Sequence, residues 1–482
     1  MWLGNRREFV RDALVFASAA AVLGRDMRVP AQEQPASRKV GPNDRIRVAV
    51  IGFHGQGRAH LTGFASLPDT VVTVMCDCDT AVPGMEAVKK TLAEVERRQG
   101  FMPEFVQDLR RVMERKDVDV VSIATPNHWH ALAAIWAIQA GKDVYVEKPV
   151  SHNVWEGRRI VDFARKYNCI VQTGTQSRSM AGMREMLAFI HSGGIGKVTL
   201  ARGLCYKLRP SIGPKVTAEP PRTVDYDLWL GPAPKKPVTR RRFHYDWHWF
   251  WDYGNGDLGN QGIHEMDKAR WGLQKNTLCN AVISIGGRVG YEDAGETANT
   301  QICVYDYGDS QLIFEVRGLP TKDLLGCRIG NIWYGDKGYV VSTNYQSGAA
   351  FTPDGQLIRK FEGGGNHFAN FIRAVKSRRV SELTADIEEG HLSSALCHLG
   401  NISYRLGKPY APGMEKELTK EGQEAFARMV EHLRENKVTQ LELLRVGPWL
   451  QFDPKVERFI NHAEANALLS RDYRKGYEIP NS

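Results

Sequence analysis

The sequence predicts an α/β fold: a doubly wound parallel sheet at the N-terminal end, followed by a second domain rich in strands. Three observations predict it. Apolar strand-like runs alternate with helical segments between residues 45 and 146. The first of those runs flows directly into a glycine-rich turn. Beyond Gly196, strand-like runs follow one another with turn signals between them, as at Tyr307-Gly308-Asp309 and Asp336-Lys337-Gly338.

The chain opens with Asn5-Arg6-Arg7-Glu8-Phe9, a weakly apolar run over 13–23, and Val29-Pro30-Ala31. A charged start, a short apolar core and a small-residue exit form a secretory signal. Paired arginines followed by Phe9 match the twin-arginine type. Residues 1–31 are therefore expected to direct export to the periplasm through the twin-arginine machinery, and 32–44 to form a linker. No run reaches the ~18–20 apolar residues of a membrane span, so none is expected once the signal is removed. Eight scattered cysteines suggest no disulfide framework, which agrees with folding before export in a reducing compartment. The net charge of +9 forms no basic stripe beyond Arg240, Arg241 and Arg242, and nucleic acid is not an expected partner.

Residues 45–51 alternate into an apolar run and read as a buried parallel strand. The turn that follows contains Gly52, His54, Gly55, Gln56 and Gly57. In a G-x-G-x-x-G loop the first glycine permits the tight turn, the second lets backbone approach a pyrophosphate, and the third packs helix on strand. Gly52 and Gly57 fit the first and third places; His54 occupies the second, with Gly55 beside it. The next strand, 71–76, ends at Asp77. An acid there accepts hydrogen bonds from ribose hydroxyls and repels a 2′-phosphate, which favours NAD over NADP. Helical segments are expected at 85–98, 105–115 and 131–140. A third strand, 118–124, ends in Thr125-Pro126-Asn127-His128-Trp129-His130, and a fourth, 143–146, in Glu147-Lys148-Pro149. Ligands in such sheets sit at the carboxyl ends of the strands.

These residues resemble the glucose–fructose oxidoreductase / inositol dehydrogenase / MocA family. The resemblance rests on the Gly52–Gly57 loop, Asp77, Thr125-Pro126-Asn127 with His130, and above all Glu147-Lys148-Pro149. It continues in a glycine-rich stretch leading to Asn260-Gln261-Gly262-Ile263-His264-Glu265-Met266-Asp267, where His264 and Asp267 match and Asn260 replaces the family's first Asp. The resemblance implies a Rossmann domain (45–170), a substrate domain with a large, mostly antiparallel open sheet (171–410), and an oligomer built on the outer face of that sheet. Residues 411–482 are expected to add a helical extension. The cofactor-contacting set is then Gly52, His54, Gly55, Gln56, Gly57, Asp77, Thr125, Pro126, Asn127, His130, Glu147 and Lys148.

Oxidising a secondary alcohol needs a cation for the developing alkoxide and a base of suitable pKa. Lys148 suits the first role and His264 the second, and the resemblance credits the same two positions. Asn260 can hydrogen-bond but cannot take a proton, so Asp257 is a candidate for the missing charge. The aromatic block 242–253 interleaves rings with Asp and His; Trp247 and Trp249 are expected to stack on pyranose faces. Gln176 and Arg178 are expected beside the pocket. His54, His128 and His130 fit no zinc spacing, and no metal is expected. The expected substrate is a sugar, glycoside or cyclitol. Because free NAD is scarce outside the cytoplasm, the cofactor is expected to stay bound. A redox-neutral glycosidase working by oxidation, elimination and reduction is the alternative; a nucleotide-bound sugar-binding or structural protein without catalysis is a third.

Overall fold

The computed structural model describes residues 44–481; the expected signal, and nearly all of the expected linker, lie outside them. Six parallel strands form the first sheet: β1 (Ile46–Ile51), β2 (Thr70–Cys76), β3 (Glu104–Val106), β4 (Val120–Ile123), β5 (Asp143–Val146) and β6 (Val171–Thr173). Their order is β3-β2-β1-β4-β5-β6, the doubly wound arrangement in which the strand order reverses beside β1. The central strands are almost wholly buried, as apolar runs covered on both faces must be.

Three local details differ from the sequence reading. Glu104–Val106, expected to begin a helix, instead pairs with β2, and the helix Leu109–Glu114 starts only after Asp108 accepts a hydrogen bond from the Arg110 amide. The helix expected from residue 131 already starts at Asn127, directly after Pro126, so His128 and His130 lie in its first turn. The parallel sheet also continues past residue 170 into β6.

The second sheet is larger and carries strands β7 (Val198–Cys205), β8 (Ala281–Gly287), β9 (Thr300–Asp306), β10 (Gln311–Arg317), β11 (Ile329–Gly335), β12 (Gly338–Ser342), β13 (Gly348–Phe351) and β14 (Leu357–Phe361). Only β7 and β10 pair in parallel; the other ladders are antiparallel. Helices Ala181–His191, Gly262–Gly272 and Ile387–Arg405 cover one face and share its core, in which Met186, Met266, Phe314, Trp333 and Leu396 are fully buried. Helix Lys420–Glu435 covers part of the other face through Phe426, Met429 and Leu433.

The residues after 410 are not simply helical. Arg445–Val446 and Leu450–Asp453 pair with β8 and extend the sheet edge, because Val446, Leu450 and Phe452 bury apolar side chains there. The end of the chain returns to the first domain, where Tyr477 and Ile479 pack into the core around Trp129. Between β7 and helix Gly256–Asn260 the chain makes a long excursion, residues 206–255, with an apolar core of its own around Trp229, Phe243, Trp249 and Tyr253.

Candidate active site

A cavity of about 700 Å³ opens at the carboxyl ends of the parallel strands, between the two domains. Its first wall is the glycine loop. Gly52 adopts φ +78°, and a Cβ there would stand 2.8 Å from the Ala124 carbonyl oxygen. A Cβ on Gly57 would stand 1.9 Å from the Gly52 oxygen. Both places therefore demand glycine, whereas a Cβ on Gly55 would meet nothing within 4 Å. The loop feeds helix Gly57–Ala65, whose first turn holds no acid; a helix N-terminus of this kind suits a phosphate. Asp77 closes β2 and accepts hydrogen bonds from the amides of Phe53 (3.2 Å) and Asp79 (3.1 Å). Burial pushes its pKa up to about 6. The Thr125 hydroxyl is buried at the cavity without a hydrogen-bond partner. An orphan hydroxyl, a cradle closed to any Cβ and an acid at the ribose position fit a dinucleotide.

His54, Gln56, Pro126, Asn127 and His130 line the same cavity. The His130 ring lies between the carbonyls of Thr125 (2.8 Å) and Pro149 (2.6 Å), at the ends of β4 and β5, and its one N–H donates to one of them. Asn127 donates to the Asn255 side chain at 3.1 Å and so ties the first domain to the excursion.

The chemical end holds Glu147, Lys148, Asn260 and His264. Burial opposes the Glu147 carboxylate, but the hydrogen bond with His60 at 3.1 Å and the neighbouring Lys148 outweigh it, and the pKa lies below the usual carboxylate value. The Lys148 Nζ donates to the Asn260 carbonyl at 2.9 Å. Burial lowers the Lys148 pKa, against Glu147 and Glu265, which raise it. His264 lies well below 6.5, held down by burial and then by Lys148, Lys268 and Lys207. Its imidazole is thus neutral near pH 7 and able to take a proton. The ring packs 4.8 Å from that of Tyr345, whose hydroxyl accepts from Gln261 at 3.2 Å.

The structure brings Gln176 and Trp247 to this cavity as well. It does not bring Arg178, Asp257 or Trp249 there. Arg178 is buried against Asp267 and Glu389, where it joins helices rather than facing a ligand. Asp257 points away and binds Arg209 through two hydrogen bonds of 2.9 and 2.5 Å. Trp249 lies beneath the same guanidinium, 4.9 Å from ring centre to Cζ. Arg209 holds Asp257 because a buried carboxylate needs a cation, and its guanidinium covers the Trp249 face as a cation–π contact. Sequence reasoning missed Tyr345 and Gln346, which reach the cavity from the turn between β12 and β13. No local pattern marks such a turn as part of a site.

Two family models match the chain. One, described as an oxidoreductase family NAD-binding Rossmann fold, covers residues 46–175; the other, an oxidoreductase family C-terminal alpha/beta domain, covers 196–440. Levoglucosan dehydrogenase of Pseudarthrobacter phenanthrenivorans is 27% identical over 243 residues, 50% of this chain and 54% of that protein. A glycosyl hydrolase family 109 protein of Shewanella pealeana is 30% identical over 179 residues, 35% of this chain and 39% of that one. The chain thus matches only about half, or less, of the length of these curated relatives. The solved structure of a levoglucosan dehydrogenase with NADH and levoglucosan superposes with a TM-score of 0.54 at 19% identity, covering 74% of this chain and 97% of that one.

Proposed function

Because the chain belongs to the glucose–fructose oxidoreductase / inositol dehydrogenase / MocA oxidoreductase family, we propose that it interconverts a secondary hydroxyl and a carbonyl on a sugar, glycoside or cyclitol, with NAD(H) kept bound between turnovers. The chain is an oxidoreductase with that family's NAD-binding domain. The observation that carries the reading is that Lys148, from the first domain, and His264, from the second, line one cavity with the glycine loop and Asp77.

Bound NAD supplies the hydride acceptor, or NADH the donor. The residues handle oxygen and proton. The Lys148 ammonium donates to the substrate oxygen and stabilises it as the O–H bond breaks. The neutral His264 imidazole takes that proton and returns it in the reverse direction. Tyr345 backs the imidazole, and Asn260 holds Lys148 through its carbonyl. Trp247 and Gln176 offer a stacking face and an amide to the remainder of the ring.

Action outside the cytoplasm is part of the reading. The twin-arginine start at Arg6-Arg7 supports it, and free cysteines, all buried except Cys78, agree with it. The match to a glycosyl hydrolase family 109 protein favours a second reading, a redox-neutral glycosidase. One experiment tests both. Protein loaded with NAD is mixed with a panel of polyols, anhydrosugars, pyranoses and aryl glycosides, with absorbance at 340 nm recorded. A stoichiometric rise supports the oxidoreductase; aglycone release with no net rise supports the glycosidase. No response to any member would overturn both.

A further inference from the structure

We propose that His244, with Asp79 and His54, forms a clasp from the substrate domain that holds the dinucleotide in its cleft; this rests on the NAD site described above. The excursion 206–255 does not stay with its own domain. Just past the end of β2 it docks on the chain: the Thr80 amide donates to the Thr223 carbonyl (3.0 Å), the Asp225 amide donates to the Cys78 carbonyl (2.9 Å), and Val224 bridges to Asp79. It then runs along the cavity. The Trp129 indole donates to the Leu228 carbonyl at 2.9 Å, and the His128 ring meets the Trp229 carbonyl at the same distance.

The Arg240 guanidinium stacks 4.5 Å over both Trp229 and Phe243 and donates to the Phe243 carbonyl at 2.9 Å. That anchor fixes the backbone immediately before His244. The His244 Nε2 lies 3.0 Å from a carboxylate oxygen of Asp79, itself buried and further held by the Ala81 amide. The face of the His244 ring stacks on His54, with centroids 4.4 Å apart and planes 18° from parallel.

The contact therefore joins the two walls of the nucleotide cleft. Gly52, Gly55 and Asp77 line one side; Leu228, Trp229 and His244 line the other. This gives His54 a purpose. A glycine in its place would let backbone approach a pyrophosphate but would offer no ring to the strap. Closure across the cleft makes departure of the nucleotide depend on parting the two imidazoles, so the clasp acts on the dissociation rate.

The test measures that rate. Purified protein is loaded with NAD, transferred to nucleotide-free buffer, sampled over time and denatured to quantify what remained bound. His244→Ala removes the strap's ring; His54→Gly removes the other ring and leaves the excursion intact. Both variants are expected to lose nucleotide at least tenfold faster, with unchanged circular dichroism. Wild-type dissociation rates in the two variants would overturn the clasp while leaving the NAD site standing. Acceleration in His244→Ala alone would also overturn it, by tracing the effect to lost packing of the excursion. Failure of the wild-type protein to bind NAD at all would overturn the underlying reading and the clasp with it.

Discussion

The two walls of the cavity are built on different principles. The wall from the parallel sheet depends on backbone: glycines at 52 and 57 that no other residue can replace, and strand ends that present Asp77, Thr125 and Lys148 at one level. The opposite wall depends on side chains from distant places: an excursion with its own aromatic core, a helix bearing His264, and a turn bearing Tyr345. The first wall can be specified by short motifs, because a glycine turn is a local requirement. The second exists only once long-range packing has formed it.

The largest expected effect tests whether both walls contribute to the chemistry. His264→Ala should lower kcat by about 10²–10⁴-fold, the usual contribution of a positioned base. Lys148→Ala should lower it by about 10²–10³-fold, as for loss of an oxyanion donor. Both should still bind NAD, measured by titration. A large loss in one variant and none in the other would assign the chemistry to a single wall.

Next comes the support of the second wall. Asp257→Asn leaves Arg209 buried without its carboxylate, a change that costs about 3–5 kcal/mol when a buried pair is broken. Chemical denaturation should show that loss, while the pH profile of turnover keeps its shape. A displaced acid limb would mean instead that Asp257 serves the substrate.

The pH dependence separates the walls more finely. His264 must be neutral to act as base, so activity should fall with decreasing pH only well below 6.5, where it gains a proton. Lys148 must be charged, so activity should fall with rising pH through a value below 10.5. His264→Gln should abolish the acid limb and leave the alkaline one. The smallest effect concerns the sugar face: Trp247→Ala should raise KM about three- to tenfold, the scale of one aromatic contact, with kcat nearly unchanged.

The same contrast explains what the sequence made legible. The alternation of apolar runs and helices, the glycine turn and Asp77 were readable because each rests on neighbours in the chain. The flanking motifs of Lys148 and His264 singled out two residues that line the cavity, because each motif ends or opens an element at its mouth. Glu104–Val106 was not, since three residues carry no period and only pairing with β2 makes them a strand. Asp257 and Trp249 were expected beside the ligand, but both lie against Arg209, a residue beyond the end of β7 that no local pattern pairs with them. The pairing of His54 with His244 joins positions 190 residues apart, and no local rule predicts it. The strands beyond residue 410 were hidden for the same reason: they are short and complete a sheet edge that the rest of the chain supplies.

In the proposed mechanism one substrate oxygen faces both the Lys148 ammonium of the first domain and the His264 imidazole of the second, with its carbon against the nicotinamide ring. A crystal structure of the protein with NAD and a reactive sugar tests it most directly. The substrate oxygen is expected within about 3–3.5 Å of both the Lys148 Nζ and the His264 ring, with its carbon facing the nicotinamide C4. A nicotinamide ring directed away from that pair, with the sugar bound elsewhere, would contradict it.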